Sequence, residues 1–101
     1  MRIPKKMRVG DKWYSVDVVE SMRKRGDMAR VFYPEQRIEI GMRSNRTGKS
    51  FAPAAINNSF WHEVVHAILH DMGRESLNRD ERFVTAFADR LSKAVDTAKF
   101  E

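Results

Sequence analysis

The chain has no cysteine, so neither a disulfide framework nor a thiolate metal site can support it, and a reducing compartment suits it. Only three prolines and five glycines punctuate 101 residues, and no Pro- or Gly-rich tract or internal repeat divides the sequence into modules. No apolar run approaches the roughly 20 residues that a membrane span needs. Met1-Arg2-Ile3-Pro4-Lys5-Lys6 is not followed by the apolar core of a secretory leader, so the expected location is the cytoplasm and no membrane partner is expected.

What is present fits one small domain over residues 1–101. A composition 42% hydrophobic and 33% charged can bury a single core and argues against disorder. Positive charge is gathered in the first half, where residues 1–50 hold 13 Lys and Arg against 6 Asp and Glu; residues 51–101 hold 6 against 8. The basic half could attract nucleic acid or an acidic protein. Its charges are scattered along strands and turns, with only Met22-Arg23-Lys24-Arg25 dense, so solvated surface is the default expectation.

Residues 1–50 read as strand-rich. Trp13–Val19 alternates and is rich in β-formers, as are Ala29–Tyr33 and Gln36–Ile40, and Met7–Val9 can add a short leading strand. Gly10-Asp11, Arg25-Gly26-Asp27 and Tyr33-Pro34-Glu35 mark turns, and the polar Met42–Ser50 reads as a mobile loop. Gly48-Lys49-Ser50 is not a phosphate loop, because Arg43 stands where that pattern needs its first glycine.

Residues 54–98 read as two helices. In the first, Trp61, Val64, Val65, Ile68, Leu69 and Met72 repeat at helical spacing and predict one apolar stripe. Gly73 suits the position just past the helix end; the start is open between caps at Asn57, Asn58 or Ser59 and an earlier one at Pro53. The second helix follows Asn78, with Val84, Phe87, Ala88, Leu91 and Val95 as its stripe.

The first helix carries His62-Glu63-Val64-Val65-His66, an HExxH motif. Histidines four apart project from one helix face, so both imidazoles can reach a single Zn2+ at roughly 2.0–2.1 Å. Glu63 points off that row, where it can take a proton from a zinc-held water and pass it to a leaving amine. The pattern also arises by chance on amphipathic helices, but here all three histidines of the chain share one row. His70 lies roughly 12 Å from His62 by helix rise, too far to share the ion, and reads as a surface histidine.

A catalytic zinc site needs a third protein ligand. Projected back one turn, the stripe of the second helix meets Asp80 and Glu81. Glu81 is the first candidate, Asp80 the alternative, and Glu75 and Asp89 lie further off. Each has a plain structural role open to it: Asn78-x-x-Glu81 resembles a capping box, and Asp80 suits a first turn. The connection must also carry the second helix across the first, because a tight turn would bring its later turns to the histidines instead.

His62-Glu63-Val64-Val65-His66-Ala67-Ile68-Leu69-His70, followed by Asp80-Glu81 and Phe83 to Leu91, resembles the ImmA/IrrE-type zinc metallopeptidases, in particular their short versions carried by phages and other mobile elements. Ile3–Gly10 and Trp13–Val16 resemble their opening text. The resemblance implies a zincin-like minimal fold and a His62, His66, Glu81 site; Thr85 departs from it, standing where such helices often carry another acid. The expectation is therefore an α+β domain, with a small antiparallel or mixed sheet of three to four strands followed by two helices. Its expected activity is zinc-dependent hydrolysis of peptide bonds in a protein substrate, with Glu63 catalytic. The alternatives are an inert zinc-binding regulatory or interaction protein, or a DNA-associated protein using the basic half.

Overall fold

The computed structural model describes residues 3–100; Met1, Arg2 and Glu101, the ends of the expected domain, lie outside them. Strands β1 (Lys6–Val9), β2 (Lys12–Val19), β3 (Ala29–Phe32) and β4 (Arg37–Gly41) precede helices α1 (Pro53–Asp71), α2 (Glu75–Asn78) and α3 (Glu81–Thr97). The protein is thus α+β, as its strand-rich first half and periodic second half predict. The sheet order is β1-β2-β4-β3, with β2 and β4 parallel and both outer pairs antiparallel, so the sheet is mixed and β3 is an edge.

The β1–β2 hairpin turns at Gly10-Asp11. Gly10 has φ +60°, and a Cβ there would run into the Asp71 carboxylate at the end of α1. Only glycine both adopts that conformation readily and leaves room for the helix end.

Strand alternation sends Tyr14, Val16, Ile38 and Ile40 to one face, where they pack with Phe60, Val64 and Ala67 of α1. A second cluster joins Val65 and Leu69 of α1 to Val84 and Ala88 of α3. Helix α1 is therefore buried on two sides, between sheet and α3. The single stripe expected from spacing is corrected accordingly: Phe60 and Ala67 are fully buried, while Ile68 and Met72 are exposed. On α3 the buried line is Val84, Ala88 and Ser92, with Phe87 and Val95 turned outward.

Helix α1 starts early, with Pro53 in its first turn and no side-chain cap at Ala52. Asn57 is then free for another role, donating to Ser92 Oγ (3.2 Å) and Asp96 Oδ2 (2.8 Å) near the end of α3. The helix closes at Gly73, φ +72°, as the sequence predicts. The segment expected as a mobile loop is a closed turn, bridged between Arg43 and Ser50. Asn45 ties it to the β2–β3 connection, donating to Met22 O (2.7 Å) and Lys24 O (2.8 Å) and accepting from Gly26 N–H (3.0 Å). No helix among the described residues is long and apolar enough to cross a membrane.

Candidate metal centre

At roughly 100° per residue, the row His62, His66 lies on α1 between the side facing α3 and the side facing β3. Both imidazoles therefore open into the seam where these elements meet. Whether a carboxylate meets them there depends on the connection after Gly73. Instead of a tight turn, residues 74–80 wind through the one-turn α2, which sequence periodicity is too short to reveal, and return beside the last turns of α1. Helix α3 consequently begins level with the histidines and then runs back towards Asn57.

That path brings Glu81, not Asp80, to the pair. Glu81 Oε2 lies 3.2 Å from His62 Nε2, and Oε1 lies 2.9 Å from His66 Nε2. One ligand atom from each of the three residues falls within 4.8 Å of the others, close enough for one metal ion. Asp80 is instead the N-cap of α3, accepting from Phe83 N–H at 3.1 Å. The capping box expected from Asn78 to Glu81 is thereby corrected: the cap moves two residues on, and Glu81 becomes the first helical residue, its side chain released towards the histidines. Glu75 pairs with His70 and Asp89 with Lys93, so neither belongs to the cluster.

Asn78 was legible only as a cap, yet it supports the site directly. Buried at the end of α2, it places Oδ1 2.6 Å from His66 Nδ1 and donates through Nδ2 to the Tyr33 hydroxyl at 3.0 Å. With the amide oxygen facing the ring, the proton on that side belongs to His66 Nδ1, which leaves Nε2 turned towards Glu81. Two imidazoles and a carboxylate converging this closely are a donor set that fits a metal ion. At His62, burial and the neighbouring His66 hold the imidazole pKa below its ordinary value, which keeps that nitrogen available as a ligand.

Glu63 sits just past the histidine row, against the edge of the sheet. Antiparallel alternation aims the main-chain groups of Met28, Arg30 and Phe32 at β4 and those of Ala29 and Val31 away from it. The Val31 N–H donates to the Glu63 carboxylate. Burial pushes this carboxyl up to about 7, against the opposing pull of His66; Glu81 raises it further, and the Val31 hydrogen bond partly offsets that rise. A pKa there suits a group that must both take and return a proton near neutrality.

The expected surface histidine, His70, is half-exposed but built in. It stacks on Tyr33 with ring centroids 3.9 Å apart and meets Glu75 Oε1 through Nδ1 at 3.0 Å. It thus steadies the tyrosine that orients Asn78. The sequence signal for this chain of contacts was the general need of a ligating imidazole for a partner on its other nitrogen. Nothing in spacing names which residue supplies it.

The centre opens into a cleft of about 450 Å³. Met28 and Ala29, where the chain enters β3, form one wall and the first turns of α1 another, with His62, Glu63, His66 and Glu81 between them and Thr85 beside them. The position where Thr85 departs from the resembling family thus borders the cleft without joining the ligand set. Comparison with family models, with characterised proteins and with solved structures finds no match to this chain.

Proposed function

We propose that this protein is a zinc-dependent metallopeptidase acting on a protein or peptide substrate, with His62, His66 and Glu81 as zinc ligands and Glu63 as general base and acid. The observation that carries the reading is the convergence of two imidazoles and a carboxylate beside a buried carboxyl group, all facing one cleft. The resemblance of the HExxH helix and its acidic partner to the ImmA/IrrE-type enzymes supports it. Absence of cysteine suits the cytoplasm as its place of action.

His62, His66 and Glu81 would hold the zinc, which would supply Lewis acidity at an open position. Glu63 takes the proton of the attacking water as its oxygen bonds to the peptide carbonyl carbon. When the C–N bond breaks, Glu63 gives that proton to the departing amine. Asn78 holds the His66 ring in its tautomer and plane throughout. The β3 edge borders the cleft, and its outward main-chain groups at Ala29, with the Val31 carbonyl, suit a substrate laid alongside as an added strand.

The deciding assay incubates the zinc-loaded chain with a quenched-fluorescence peptide library, alongside Glu63→Gln. Cleavage by the wild type, abolished in the variant with zinc retained, is the expected result. If cleavage persists in Glu63→Gln, Glu63 is not the base; if the wild type cleaves nothing, or a biological activity survives that substitution, the peptidase reading is wrong and the inert interaction protein is the better account.

A further inference from the structure

The outer face of the sheet takes no part in the core. While Tyr14, Val16, Ile38 and Ile40 turn towards α1, the intervening residues turn away from it. Charges scattered in the sequence are gathered there by topology. The registers Lys6↔Ser15, Ser15↔Arg37 and Arg37↔Phe32 form one row across all four strands, and Arg8↔Trp13 lies beside it.

On this face each of two aromatic rings carries two cations. Lys6 Nζ and the Arg8 guanidinium carbon lie 5.1 and 5.7 Å from the Trp13 ring centre. The Arg30 and Arg37 guanidinium carbons lie 5.6 and 4.7 Å from that of Phe32. Trp13 is 54% exposed, so much of its indole lies open on this face. Beside Phe32 is a basin of about 440 Å³, lined by Arg23, Lys24, Arg30 and Arg37 with Asp27 and Glu39 as its acids. Arg37 pairs with Glu39 through Nη2 at 3.3 Å, yet its buried Nε has no hydrogen-bond partner among the described residues.

We propose that this sheet face binds single-stranded nucleic acid, with bases stacking on Trp13 and Phe32 and phosphates taken by the flanking Lys6, Arg8, Arg30 and Arg37. Two strand spacings and two residues of rise separate the rings by roughly 12 Å, on a rigid platform. An acidic peptide would satisfy the cations but has no planar faces for the rings, and a duplex keeps its base faces stacked inside. Cations at the rings and basic walls around them match a strand that presents bases and phosphates in alternation. The face is opposite α1, so this binding is independent of the metal centre.

Fluorescence anisotropy of the zinc-loaded full chain tests it, with labelled 12-mers of dT and of rU, a duplex of equal length and polyglutamate as competitor. Both single strands should bind at low salt, and four neutralised phosphates give a slope of log K against log salt of about −3. Trp13→Ala should weaken binding roughly 5- to 150-fold, the range for loss of one stacked base, and Trp13→Tyr should largely restore it. Arg8→Glu with Arg30→Glu should flatten the salt slope while circular dichroism stays unchanged. Glu63→Gln should bind as the wild type does, which separates this proposal from the peptidase reading. Absence of single-strand binding at low salt, indifference to Trp13→Ala, or equal affinity for duplex or polyglutamate would overturn it.

Discussion

Replacing Glu63 with glutamine removes a buried charge but keeps the side chain's shape and an acceptor for the Val31 N–H. In the metal-free protein this substitution should therefore stabilise the fold. Burial raises the Glu63 pKa from an ordinary 4.5 to about 7, so the folded chain holds the proton more tightly than the unfolded chain does. Stability from this group is then fully present below 4.5 and is lost as pH rises through about 7. The gap between the two values corresponds to about 3 kcal/mol. Glutamine does not titrate, so the variant escapes this loss, and the titrating groups away from the centre are common to both proteins. Urea unfolding of chelator-treated protein should show nearly equal stabilities at about pH 4 and a variant more stable by about 3 kcal/mol at about pH 7.5. Zinc should shrink the difference, because a nearby cation favours the ionised carboxylate. A difference that does not change with pH, or a wild type more stable at pH 7.5, would refute the reasoning.

Asn78→Leu removes the partner of the His66 Nδ1–H and should lower zinc affinity about 10- to 100-fold in chelator competition, whereas Asn78→Asp should retain it. Asp80→Ala should cost about 0.5–2 kcal/mol in chemical denaturation through the lost helix cap and lower zinc affinity far less than Glu81→Ala, which should abolish tight zinc binding. Both tyrosines, Tyr14 and Tyr33, have pKa values raised chiefly by burial above the ordinary 10.0. Their phenolate absorbance should appear late in an alkaline titration, and stability should fall as pH rises past 10.0, where the unfolded chain releases protons that the folded chain keeps. Ordinary titration of either phenol in the folded protein would contradict that burial.

Much of this architecture is written locally. Alternation in Trp13–Val19 and the flanking turn residues mark the strands, and HExxH spacing marks the face on which two imidazoles sit. Strand order is less local: β3 and β4 form a hairpin through the turn at Tyr33–Gln36, but the parallel pairing that sets β4 beside β2 depends on long-range packing rather than on any turn. The two-sided burial of α1 was hidden for a similar reason. Phe60 and Ala67 fall off the stripe defined by Trp61 and Val65, and only a helix packed against both a sheet and a helix uses both sets. At the site, Glu81 was legible as one of two neighbouring carboxylates, but the choice rests on where the cap falls. Asp80 takes the Phe83 N–H, which frees Glu81 and leaves Asn78 to hold His66. A one-turn helix of four residues, too short for periodicity to register, decides that geometry.

The central claim is that His62, His66 and Glu81 hold one metal ion, and metal counting tests it most directly. The purified chain, dialysed against limiting zinc and measured by plasma mass spectrometry, should hold about one zinc per chain, and His62→Ala should hold none while remaining folded. A folded wild-type chain that takes up no zinc, or a His62→Ala variant that keeps it, would contradict the account.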